Sequence, residues 1–191
     1  MKKTEKIVLL GVLTAIVFVL QIVVAPIKLG TFAITLVLIP VVIGASLCGV
    51  YAGTWLGFVF GIAVLVSGDA AAFLQINTLA TVFVVLAKGT LAGFASGLVY
   101  KLLAQKNKLA AVFSSAVVCP LINTGIFLLG SYLFFLDTIK EWAGGANATT
   151  FIFTVLIGAN FFFELGANLI FAPAIAKIIN IGFKTFSKKR A

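Results

Sequence analysis

Histidine is absent from this 191-residue chain, which excludes a Ser–His nucleophile or a histidine-ligated zinc site. Carboxylates are scarce. The five are Glu5, Asp69, Asp137, Glu141 and Glu164, and no two lie close together within an apolar run, so a two-carboxylate mechanism lacks its parts. The two cysteines, Cys48 and Cys119, are far apart and lie in or beside apolar runs, so neither a disulfide nor a metal site follows. There is no G-x-x-x-x-G-K phosphate loop. The expectation is a protein that is not an enzyme, with no catalytic residue, metal or cofactor.

What is present is apolar. The chain is 62% hydrophobic with 19 Phe, only 10% charged, and has a mean hydropathy of +1.24. A soluble domain of this size cannot hide that much apolar surface, whereas a bilayer solvates it. The first apolar run, from about Ile7, is too long for a signal-peptide core and reads as a retained helix. Residues 1–191 are expected to form one membrane domain.

Spans of roughly 20 apolar residues can be placed near 7–25, 32–50, 52–67, 78–101, 109–136 and 151–181. The fold class is therefore an all-α integral membrane protein, a bundle of six transmembrane helices with both termini cytoplasmic. Charge sets the orientation. Eleven cations (Lys2, Lys3, Lys6, Lys101, Lys106, Lys108, Lys177, Lys184, Lys188, Lys189 and Arg190) fall at one face, and two, Lys28 and Lys140, at the other. Loops rich in Lys and Arg stay in the cytoplasm, and two basic termini require an even number of spans. The net charge of +9 then reflects topology and contact with membrane lipid headgroups, not nucleic acid. The localisation that follows is a bacterial cytoplasmic membrane, crossed several times.

Small residues recur at helical spacing. Gly53, Gly57 and Gly61 form one ladder, and Gly89, Gly93 and Gly97 another. Such stripes let helix backbones approach closely, and internal packing is the expected use of both. Gly11 and Ala15 make a shorter patch near the cytoplasmic side, suited to docking another membrane subunit.

Polar residues inside the spans are few. Lys88 falls about ten residues into its span and Glu164 about thirteen, comparable depths at ~1.5 Å per residue. Charges at such depth are costly unless paired or wet, and normally face the bundle interior. Asn160, Glu164 and Asn168 follow an i, i+4, i+8 spacing on one helix face, and Asn123 belongs to the same layer. Two readings stay open: an internal Lys88–Glu164 pair with amide hydrogen bonds, or a pocket opening outward for a small solute, with Phe161, Phe162 and Phe163 as aromatic wall. The outer loop 67–78, with Asp69 and Asn77, and the loop 137–150, with Trp142, are either lids or plain connectors.

With small residues on its first helix and a polar outer half, the chain resembles the substrate-binding S components of energy-coupling factor (ECF) vitamin transporters. The stretches Ile34–Ala45, Leu86–Gly89 and Val118–Gly125 look like those of the branch holding the pantothenate, riboflavin and folate members. The resemblance implies a subunit that binds a vitamin from outside and topples while docked on a transmembrane T subunit. Two ATPase subunits would drive the cycle. It implies T-subunit docking through Gly11 and Ala15, where the family's A-x-x-x-A patch has Gly in place of the first Ala. It also implies a pocket in the outer half, where Lys88, Asn123, Asn160, Glu164 and Asn168 are the candidates. A buried Lys suits a carboxylate ligand such as pantothenate; neutralised by Glu164, it suits a neutral or zwitterionic one. The rival is a stand-alone secondary carrier or channel. A carrier should show repeat symmetry between its halves, and 1–100 does not match 101–191.

Overall fold

The computed structural model describes the backbone of residues 3–24, 28–29, 32–33, 36–145 and 147–188, and side chains at 3–23, 36–145, 147–154, 158 and 161–181. Helix α1 is Lys3–Val24, followed by β1 (Lys28–Leu29) and β2 (Phe32–Ala33), paired antiparallel with Lys28 opposite Ala33. Then come α2 (Leu38–Cys48), α3 (Val50–Ser67), α4 (Ala71–Ile76), α5 (Thr78–Leu103), α6 (Lys108–Phe134), α7 (Leu136–Trp142) and α8 (Ala148–Phe151). A π-helical turn, Ile152–Ile157, leads into α9 (Gly158–Lys188).

Among the described residues, five stretches are long and apolar enough to cross a membrane: Lys3–Val23, Val50–Ser67, Thr78–Leu103, Lys108–Phe134 and Phe161–Ile181. The sixth expected span, 32–50, is the shorter helix α2. Eleven residues reach about 16 Å at 1.5 Å each, roughly half of a ~30 Å hydrocarbon core. Its start is displaced because Phe32 and Ala33 pair in the hairpin and because Pro40 sits in the first turn of α2. There its missing N–H costs nothing, but its ring disfavours helical backbone one turn earlier. The last expected span, 151–181, is also divided. Gly158, at φ 28° and ψ −131°, interrupts it where the π-helical turn ends. The short helices α4 and α7 lie in the outer loops expected to be either lids or plain connectors.

Gly49 separates α2 from α3. Its φ of 103° and ψ of 179° lie where only glycine is comfortable, and its carbonyl accepts from Ala52 N and Gly53 N. The chain folds back there, setting Ala45 beside Gly53 and Gly44 against Leu56. The same reasoning gives the direction of each neighbour. Gly53 faces Gly93 while Gly57 faces Gly89, so α3 and α5 are antiparallel. Ser96 pairs with Ser115 while Gly130 meets Val84, so α5 and α6 are antiparallel. Thr14 bonds Trp55 while Gln21 bonds Ser67, so α1 and α3 run parallel.

The α3–α5 seam bears out the packing expected of the two ladders. A Cβ on Gly53 would stand 2.5 Å from the Gly93 carbonyl oxygen, and one on Gly61 3.0 Å from that of Val85. Gly57 and Gly89 are mutually closer still. Backbone meets backbone along the seam, the arrangement in which dispersion contacts hold membrane helices together. The main core gathers beside it from Val41, Val42, Leu56, Phe60, Val112 and Ile175.

One end of the bundle brings together Lys6 with Cys48 and Val50 with Gly97. Lys108 and Asn180 line one groove there. The opposite end carries Gln21, Ser67, Asp69 and the loop helices.

Candidate functional site

Away from the lysine-rich end, three helices turn polar groups inward. Lys88 on α5 extends its ammonium between two rings, with Nζ 5.9 Å from the centroid of Phe60 on α3 and 5.4 Å from that of Phe127 on α6. Both distances allow attraction between cation and ring face, strengthened where water is excluded. Glu164 and Asp69 are the carboxylates whose charge reaches this ammonium. Glu164 is expected from the sequence at a depth comparable to that of Lys88, and Asp69 lies in the loop after α3.

On α6, Asn123, Phe127 and Ser131 follow one another at four-residue spacing, and so share one face. Asn123 is 5% exposed and Ser131 1%. On α9, Glu164 and Asn168 are buried one turn apart, and Asn168 Nδ2 donates to the Glu164 backbone carbonyl at 2.8 Å. Three polar atoms of this layer, Asn123 Oδ1, Asn168 Oδ1 and Ser131 Oγ, are buried without a hydrogen-bond partner among the described residues. Leaving such groups unpaired costs about 1–3 kcal/mol each. The side chain of Asn160 lies outside the described residues.

The loops close over this layer through aromatic edges. Phe73 on α4 makes edge-to-face contacts with Phe127 at 5.7 Å, Phe135 at 5.0 Å and Trp142 at 5.5 Å between centroids. Phe127 thus touches the Lys88 ammonium and the lid residue Phe73, while Phe73 joins the loop after α3 to the loop after α6. Ile139 and Ile152, both fully buried, fill the space behind them. Of the residues expected in lids, Trp142 belongs to this cluster. Asp69 accepts from Gln21 Nε2 and so ties its loop to α1. Asn77 caps α5, its side chain accepting from Ala80 N at 3.0 Å.

Phe162 and Phe163, expected as aromatic wall, are 71% and 50% exposed. The inward rings are instead Phe60, Phe73 and Phe127, and only Phe161 of the triplet packs against the lid cluster. Sequence reading missed these three because Phe is everywhere in the chain. The one usable signal was the four-residue spacing of Phe127 from Asn123. On α1, a Cβ at Gly11 would meet nothing within 4 Å, and Gly11 and Ala15 are both exposed. Among the described residues, nothing packs against Gly11.

Together the apolar helices and their inward polar groups are those of a multi-pass membrane protein. Residues 5–179 match the family described as ECF transporter, substrate-specific component. The chain belongs to that family, whose members are transport subunits that confer substrate specificity. No curated protein and no solved structure matches it.

Proposed function

We propose that this chain is the high-affinity binding subunit of an ECF importer, taking up a vitamin or related micronutrient that carries an anionic group, with pantothenate the preferred candidate. The carrying observation is the layer of Lys88, Asn123 and Asn168. An ammonium held on two rings stands with amide oxygens that have no partner. A carboxylate would be drawn to Lys88, and hydroxyl or amide N–H groups of the same molecule would satisfy Asn123 and Asn168. Glu164 and Asp69 compete with the ligand's anionic group for this ammonium, which favours a ligand with no more than one anionic group; if Glu164 neutralises Lys88, a neutral or zwitterionic ligand fits instead.

Six crossings with both termini cytoplasmic fit this reading. The alternation of neighbour directions through α1, α2, α3, α5 and α6, with Lys6 and Lys108 at one end, supports an even count. Orientation is tested in a Cys48→Ser, Cys119→Ser background. Cysteine introduced at Asn147 should label in intact cells with a membrane-impermeant thiol reagent, whereas cysteine at Asn107 should not; the reverse labelling overturns the orientation.

Partnership with a T subunit and two ATPase subunits follows from the family and fits the open Gly11–Ala15 patch on α1. Affinity purification from the native membrane should recover these partners together with a small molecule identifiable by mass spectrometry. Gly11→Trp should abolish recovery of the partners and leave the retained ligand in place, because nothing inside the subunit touches that position. Equal loss of partners and ligand would count against docking through α1.

A further inference from the structure

We infer that Gln21, on α1, is a positioning residue for the solute site proposed above, an assignment that rests on that reading. Its amide pins the loop between α3 and α4, so that Phe73 stays against Phe127, the ring that receives the Lys88 ammonium. Leu13, Val17 and Gln21 recur every four residues and share one face of α1. All three are buried, Gln21 at 4% exposure. A third aliphatic side chain would extend that face at no polar cost. An amide there is costly unless its groups are bonded, and Gln21 commits its Nε2 to the loop.

Nε2 donates to Ser67 Oγ at 3.4 Å and to a carboxylate oxygen of Asp69. Ser67 Oγ in turn donates to the Val64 carbonyl at 3.1 Å, which leaves its lone pairs to accept from Gln21. Between Ser67 and Asp69 lies Gly68, where α3 ends at φ 85°, a conformation that gives the chain a sharp change of direction. α4 follows with six residues, none of them buried. A helix of that length is not stable by itself, so its place depends on what grips it. Ala70 and Leu74 rest on the main core, but apolar contact has no direction. The bond from Gln21 to the Asp69 carboxylate supplies one, at the end of the loop from which α4 and Phe73 depart.

The same bond bears on charge. Asp69 is one of the two carboxylates whose charge reaches Lys88. Bonded to Gln21, its carboxylate is not free to swing to the ammonium, and that charge is left for an anionic ligand. Gln21 thus acts through Phe73 and Asp69 and touches no solute itself.

The test reads hydrogen exchange of the purified, ligand-free chain and the dissociation of labelled pantothenate. Gln21→Leu should raise exchange across residues 69–77 about ten-fold, the worth of one hydrogen bond to a charged group. Pantothenate release should quicken by a similar factor, with exchange along the α3–α5 seam unchanged. Thr14→Val removes another side-chain bond between α1 and α3, from Trp55 Nε1 to Thr14 Oγ1 at 3.1 Å, and should alter neither reading. Gln21→Glu combined with Asp69→Asn exchanges donor and acceptor across the contact at the same net charge. That pair should return exchange over 69–77 close to that of the unaltered protein. Unchanged protection of 69–77 in Gln21→Leu overturns the inference. An equal effect of Thr14→Val also overturns it, because Gln21 would then be a general tie between helices. A donor–acceptor exchange no better protected than Gln21→Leu overturns it by reducing the position to packing. Pantothenate that fails to bind the unaltered protein would overturn the ligand assignment above, while exchange over 69–77 still decides the role of Gln21.

Discussion

The seam between α3 and α5 and the inward polar groups of α5, α6 and α9 share one helix, yet they are built by contrary means. Along the seam every few residues lack a side chain, and carbonyl oxygens rest where Cβ atoms would be. In the proposed chamber the side chains are long, polar or aromatic, and three buried polar atoms have no partner among the described residues. The seam has a single way of fitting together. On the proposed function, a solute completes the chamber. The α5 helix serves both, so the rigidity of its glycine face fixes the position from which Lys88 reaches inward.

That contrast can be broken most severely at Lys88. Removing one partner of a buried charge set leaves the other exposed to a low-dielectric interior and costs about 3–5 kcal/mol, whereas replacing both by apolar groups can be nearly neutral. Lys88→Met should therefore lower the melting temperature in detergent and abolish ligand binding. Adding Glu164→Leu should restore the melting temperature but not binding. A double variant that binds normally would remove both residues from the site and leave the amides as its determinants.

The next effect compares glycines on the two sides. Gly57→Ala drives a methyl into the backbone of Gly89, where no flexible atom can yield, and should cost about 1–3 kcal/mol or more. Gly125→Ala, on α6, meets nothing within 4 Å and should stabilise by up to about 1 kcal/mol through helix propensity. Thermal unfolding of the two variants should therefore shift in opposite directions. Equal shifts would mean the seam is looser than its geometry.

The smallest effect sharpens the chamber's boundary. Phe73→Ala removes three edge-to-face contacts, each worth about 0.5–1.5 kcal/mol beyond burial, two of them within the loops and one to Phe127 on α6. It should barely move the global melting temperature. Ligand dissociation should quicken and amide exchange across residues 69–77 should rise, with no change in the α3–α5 seam.

Much of the architecture is legible in the chain itself. The bilayer requires runs of apolar residues long enough to cross it, and it penalises buried charge, so membrane class and most helices followed from composition. The inward placement of Lys88 and Glu164 followed as well. The glycine ladders announced a close seam because a missing side chain has no other use at that spacing. The interruption before α9 and the short α2 were not legible. They arise from Gly158 and the hairpin before Pro40, where local backbone geometry overrides an unbroken run of hydropathy.

The aromatic cluster that reaches Lys88 was decided only by tertiary structure. Nineteen phenylalanines look alike in a sequence, and hydropathy cannot tell a ring facing lipid from a ring facing a cation. Phe60, Phe73 and Phe127 come from three separate elements; the registers of α3, α5 and α6 bring Phe60 and Phe127 to Lys88, and the fold of the α4 loop brings Phe73 to Phe127. Gly11 and Ala15 show the converse. Their spacing was visible from the start, but the openness of their face depends on α2 and α3 occupying the other side of α1.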